Sequence, residues 1–131
     1  MNIQIPILFR GSKSNKELLA IFDPETLYSF LPESFIEEIG RLSQLPNPRL
    51  LKIASKDQQL LITHGTCAGF TINNLKLSDE FMSFPGNLDH AIIGITTIRK
   101  WRMKLDPENN AVIINPEVAK FRLGGLRPVK F

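Results

Sequence analysis

Cysteine is nearly absent: Cys67 is the single one in 131 residues. One thiol excludes an internal disulfide and suits a reducing compartment, so the cytoplasm is the expected location. Histidine is scarce as well, with only His64 and His90. These two, one cysteine and scattered acids give no metal-ligand spacing, so neither a metal nor a cofactor is expected. A nucleophilic pair of Cys67 and His64 would need both on one face, and residues three apart on a strand point to opposite faces. Cys67, in an apolar-rich segment, is expected to be a buried structural thiol. No apolar run approaches the length that spans a bilayer. The opening Met1-Asn2-Ile3-Gln4-Ile5-Pro6 lacks the basic-then-apolar layout of a signal peptide, so no membrane association is expected. Glycine forms no phosphate-cradling loop, because Gly124-Gly125 has no helix after it.

What is present fits one globular domain. Apolar residues make up 43% and charged residues 22%, the balance of a chain with a single packed core. The net charge of +3 is unevenly spread, since residues 99–131 hold eight Lys or Arg against three acids. Arg99, Lys100, Arg102, Lys104, Lys120, Arg122, Arg127 and Lys130 could attract nucleic acid or an acidic partner. No aromatic ladder or nucleic-acid motif accompanies them, so a solvated helix face followed by a basic tail over 116–131 is the simpler reading. A nucleic-acid role is not expected.

Turn signals are short-ranged and regular, which predicts an all-β domain. Ile3 to Phe9 and Glu17 to Phe22 read as strands around Gly11-Ser12-Lys13-Ser14-Asn15. Glu33 to Ile39 reads as a short helix, opened by Pro32 with acids early and stopped by Gly40. Leu45-Pro46-Asn47-Pro48 reads as a linker loop. Leu50 to Ile53 and Gln59 to Thr63 read as strands around a polar tip, Ser55-Lys56-Asp57-Gln58. Thr66 to Ile72 and Leu75 to Leu77 form a hairpin in which Asn73-Asn74 supplies positive φ. Glu80 to Phe84 and Ala91 to Gly94 are further strands, and Thr96 to Trp101 is a second short helix. Met103 to Leu105 and Ala111 to Ile114 pair around a turn. Trp101 and the phenylalanines read as core.

The segment Ala20-Ile21-Phe22-Asp23 places a carboxylate where an apolar strand ends, a costly position for a charge without a use. Asp-Pro-Glu recurs at 106–108, in an evident turn where Asp before Pro is good turn chemistry. Asp23 therefore has a plain alternative, that of a turn aspartate accepting local backbone hydrogen bonds. Beside it stand Tyr28-Ser29-Phe30-Leu31-Pro32-Glu33, the strand Leu50 to Ile53 leading to a polar tip, and His90-Ala91-Ile92-Ile93-Gly94. Together these segments resemble the retropepsin-like, single-domain aspartic proteases over roughly residues 3–115. The resemblance implies a closed β-barrel of the acid-protease fold with one or two short helices.

The same resemblance implies a homodimeric aspartic endopeptidase acting on an extended peptide or protein substrate. Asp23 of each copy would be catalytic, the two carboxylates sharing one proton because adjacent like charges cannot both ionise cheaply. Met1 to Ile7 and Val112 to Ile114 would be the interface strands. The chain departs from the family where Pro24 and Glu25 stand in place of Thr or Ser and then Gly. Proline offers neither a hydroxyl nor an N–H to a partner copy, and Glu25 brings a further charge. The departure implies the alternative of a non-catalytic dimerisation or peptide-binding module of the same fold.

Overall fold

The computed structural model describes residues 2–53 and 58–119. The polar tip expected at 55–58 therefore lies mostly outside the described residues, as does the basic tail from 120 onward. Nine strands and two α-helices follow in order: β1 (Ile3–Arg10), β2 (Asn15–Phe22), β3 (Phe30–Pro32), α1 (Glu33–Ile39), β4 (Ser43–Ile53), β5 (Gln58–Ile72), β6 (Leu75–Phe84), β7 (Ala91–Ile93), α2 (Ile95–Lys100), β8 (Lys104–Asp106) and β9 (Ala111–Ile113).

The sheet runs β1-β2-β7-β3-β6-β5-β4, and β1 also pairs with β5 through Leu8, Phe9 and Arg10. Six strands thus close into a barrel, and β4 extends from β5 as an arm outside it. Two contacts are parallel, β2 with β7 and β3 with β6, and the remaining pairings are antiparallel. Closure leaves the barrel strands little open edge, which is how a small β domain limits self-pairing, while β4 keeps its outer edge. The unpaired stretch of β1 is capped at Gln4 by Asn110. Its side chain accepts from the Gln4 N–H at 2.9 Å and donates to the Gln4 carbonyl at 2.8 Å.

Strand alternation divides the apolar residues between two faces. Phe9, Phe70 and Phe81 fill the barrel with edge-to-face or tilted rings 5.6–6.3 Å apart, and Phe35 of α1 packs on Phe9 at 5.7 Å. Each such buried ring contributes roughly 1.5–3 kcal/mol by leaving water. On the outer face a smaller cluster forms from Phe30, Ile62 and Met82, with Tyr28, Leu45, Leu51, Leu60 and Ile92 packed against it. The arm lies over that cluster. After β9, residues 116–119 make a single 3₁₀ turn that brings Val118 against the main core.

The expected elements are present, with three differences. Leu45 to Pro48 is not a linker but part of β4. Register runs from Gln44 opposite His64 to Arg49 opposite Ile62, so these four residues bulge out against Thr63 alone. Prolines are tolerated there because a bulge makes no ladder bonds for them to miss. Second, β5 is continuous through His64-Gly65, and β6 through Ser78-Asp79. Gly65 permits this because a Cβ there would lie 2.7 Å from the Phe81 carbonyl oxygen on β6. Third, Phe30 to Pro32 forms the short strand β3, which its three residues did not announce.

Candidate functional site

Asp23 follows β2 directly, and its N–H donates to the Ile93 carbonyl of β7 at 2.9 Å. The residue is half-buried. Its Oδ1 accepts from the Glu25 N–H at 3.0 Å, and its Oδ2 accepts from the Thr26 hydroxyl at 2.7 Å. The Thr26 N–H returns to the Asp23 carbonyl at 3.1 Å, closing the turn. Pro24 and Glu25 are exposed at its apex.

The remainder of the loop is fastened to the start of α2, where a helix presents N–H groups without partners of their own. The Ile95 and Thr96 N–H groups donate to the carbonyls of Thr26 and Leu27 at 2.7 and 3.2 Å. The Gly94 N–H donates to the Ser29 hydroxyl oxygen at 2.9 Å, and that oxygen lies 2.6 Å from the Thr97 hydroxyl. Ser29 and Thr97 are both buried. Gly94 is required by close approach, since a Cβ would stand 2.4 Å from the Tyr28 carbonyl oxygen. Sequence reasoning located Asp23 and Gly94 but missed Ser29 and Thr97. Two hydroxyls in apolar surroundings were the available signal, because such groups are buried only with partners.

The second Asp-Pro-Glu makes a useful comparison. Asp106 Oδ2 accepts from the Asn109 side-chain amide at 2.8 Å, as Asp23 Oδ2 accepts from Thr26, so both aspartates brace a turn through the residue three positions on. Only the Asp23 loop is also pinned to a helix N-terminus. The turn role proposed for Asp23 is therefore present together with the strand-end placement that the resemblance implies.

Other titratable groups stand apart. Cys67 is exposed, contrary to the expected buried thiol. On β5 the core side falls to Ala68, Phe70 and Ile72, and Cys67, one residue before Ala68, takes an outward position. His64 hydrogen-bonds Thr63 at 2.8 Å, and His90 bonds Asp89 at 2.8 Å. The His90 ring holds the Asp89 carboxyl below the usual carboxylate range, first by this hydrogen bond and then by charge. Among the described residues no three His, Cys, Asp or Glu side chains gather as a metal site would need. No helix among them is long and apolar enough to cross a membrane. An open recess of about 390 Å³ lies between β2 and α1, lined by Lys16, Leu18, Phe35 and Glu38 among others, and does not reach Asp23.

The arm meets the Asp23 loop at one polar contact. Arg49 of β4 donates to the Tyr28 hydroxyl, and its guanidinium lies over the Tyr28 ring, 4.7 Å from the centroid.

No family model and no curated protein sequence matches the chain. Solved structures do. The chain is similar to the retroviral protease-like domain of Ddi1 from Leishmania major, with a TM-score of 0.60 at 12% identity over 88% of this chain and 89% of that one. It is also similar to a foamy viral protease-reverse transcriptase in complex with an RNA/DNA hybrid, with a TM-score of 0.52 at 19% identity over 75% of this chain and 12% of that one. The closed six-strand barrel and its two short helices are those of the retropepsin-like fold.

Proposed function

We propose that this chain is a homodimeric retropepsin-like domain that binds an extended peptide or protein segment, with Asp23 of both copies at the cleft centre, and does not hydrolyse it. One barrel supplies one Asp23, so a two-carboxylate centre needs a second copy related by a two-fold axis. The observation that carries the non-catalytic reading is the apex after Asp23, where Pro24 and Glu25 stand exposed. Pro24 has neither a hydroxyl nor an N–H to donate to a partner copy. Exposed Glu25 adds a negative charge where two like carboxylates would already repel. Peptide binding is supported by the arm, whose strand β4 ends the sheet order and, among the described residues, pairs only with β5. Its free edge offers N–H and C=O groups to an added extended segment.

Peptide hydrolysis is the second reading, and the preorganised carboxylate favours it. Two donors and a pinned loop fix the direction of Asp23 before any ligand arrives. In a dimer, one Asp23 would take a proton from the attacking water while the other donates to the peptide carbonyl oxygen.

The test is incubation of wild type and Asp23→Asn with a pool of extended peptides between acid and neutral pH, with binding and cleavage followed separately. Binding with no cleavage by wild type, and a fold retained in Asp23→Asn, is the expected result. Cleavage that Asp23→Asn abolishes would establish the peptidase instead. Changing Pro24 and Glu25 to Thr and Gly should then raise the rate. Cleavage that persists in Asp23→Asn would rule out Asp23 as the reacting group.

A further inference from the structure

Arg49 is a cation that the fold places against the Asp23 loop, without a compensating charge among the described residues. It pairs with Ile62 across the β4–β5 ladder, and Ile62 is fully buried in the outer cluster with Phe30 and Met82. Residues directly opposite in a ladder share a face. Arg49 therefore stands on the side of the arm that looks toward the Asp23 loop, while the exposed pair Leu50 and Leu61 takes the other side. There its guanidinium stacks on Tyr28 and donates to the phenol oxygen.

A phenol is a neutral partner and leaves the charge whole. Among the described residues, the ion pairs are Lys16 with Glu38, His90 with Asp89 and Lys100 with Asp79, so no carboxylate answers Arg49. Arg49 is exposed and therefore within reach of a ligand. Stacking on the ring restricts the guanidinium plane, and most of its five N–H donors remain uncommitted. Tyr28, on which it stacks, packs against an apolar cluster that also holds Leu51, Leu60 and Ile92. A stacked, planar, unpaired guanidinium beside apolar surface is suited to a two-pronged bond with a carboxylate.

We propose that Arg49 and Tyr28 form a subsite for a carboxylate of the bound segment, so that the cleft selects peptides acidic at one position. The inference deepens the peptide-binding reading and rests on it. Tyr28 orients the guanidinium, and Arg49 supplies the charge and the paired donors.

The experiment measures binding of full-length protein to acetylated, amidated decapeptides in which Glu, Gln or Lys occupies each position in turn. Arg49→Gln, Arg49→Lys and Tyr28→Phe are measured alongside wild type. At one position Glu should bind roughly tenfold or more tightly than Gln, the scale of a charge-assisted hydrogen bond. Arg49→Gln should remove that preference while leaving the affinity for the Gln peptide unchanged. Arg49→Lys should keep part of it, as a point charge without the planar fork. A preference seen only in free-acid versions of the peptides would assign the same subsite to a chain-terminal carboxylate. Equal affinity for Glu and Gln peptides would overturn the inference alone. Arg49→Gln weakening all peptides alike would overturn it too, since Arg49 would then only brace the arm. A set in which no peptide binds would overturn both this inference and the peptide-binding reading.

Discussion

Ser29 does more for the shape of the site than its size suggests. Its hydroxyl oxygen receives the Gly94 N–H and is hydrogen-bonded to the Thr97 hydroxyl, joining the loop after Asp23 to the first turn of α2. All three partners lie where water cannot replace a lost bond, because Ser29 and Thr97 are almost fully buried. Ser29→Ala should therefore cost about 2 kcal/mol, most of it the penalty of an unsatisfied Gly94 N–H. Urea denaturation with an unchanged slope and a lower midpoint would register this as stability alone. A variant as stable as wild type would show that the pair does not hold the loop. Asp23 differs in kind, because its two acceptor bonds go to Glu25 and Thr26 at the turn itself. Asn keeps one oxygen and nearly the same volume, which is what makes Asp23→Asn a test of charge and not of packing.

At the scale of elements, the β5–β6 hairpin is set by its turn. Asn73 and Asn74 both have positive φ, 51° and 65°, the two-residue geometry that matches strand twist. Asn73 also donates from its side chain to the Val112 carbonyl at 2.8 Å, so Asn74 is the cleaner probe. Asn74→Gly should leave stability unchanged or raise it by a few tenths of a kcal/mol, since glycine is the residue this turn position prefers. Asn74→Val should cost about 1–2 kcal/mol, because a branched side chain crowds the following carbonyl in that conformation. Thermal midpoints of the two variants moving in the same direction would contradict the turn assignment. This hairpin was legible because asparagine pairs carry their conformation locally, and α1 was legible because Pro32, early acids and Gly40 mark its ends. The course of β4 was not, because Pro46 and Pro48 read as loop residues until the partner strand shows that they occupy a bulge. Strand β3 was hidden for a similar reason: three residues acquire their pairing only from β6 and β7. Asp23 and Gly94 stood out by their position after apolar runs. The contacts of Ser29 with Thr97 and of Arg49 with Tyr28 join residues far apart in sequence, and nothing local foretells either.

At the scale of the molecule, the barrel satisfies itself well apart from a few exposed apolar side chains. Termini expected to pair with another copy are partly spoken for. Ile3, Ile7, Val112 and Ile114 are buried in the chain's own core, and Asn110 occupies the backbone of Gln4. The apolar residue most suggestive of a second copy is Leu27, which is 52% exposed in the loop that begins at Asp23. Its backbone is fixed by Thr96, whose N–H and hydroxyl both donate to the Leu27 carbonyl, so its exposure belongs to an ordered loop. If two copies bring their Asp23 loops together about a two-fold axis, Leu27 near that axis meets its own counterpart. An apolar residue is favourable in that setting, and a charged one meets its like. Sedimentation velocity over a wide concentration range should accordingly find wild type as a dimer. Leu27→Asp should shift the protein to monomer, because two apolar side chains leave the interface and two carboxylates oppose each other in it. Circular dichroism of Leu27→Asp should match wild type, since an exposed loop side chain contributes little to the barrel. A control at Leu50, somewhat more exposed and on the outer side of the arm, should leave assembly unchanged when converted to Asp. Wild type remaining a monomer at all concentrations would remove the two-copy cleft. A dimer unaffected by Leu27→Asp would keep two copies but place their contact away from Asp23.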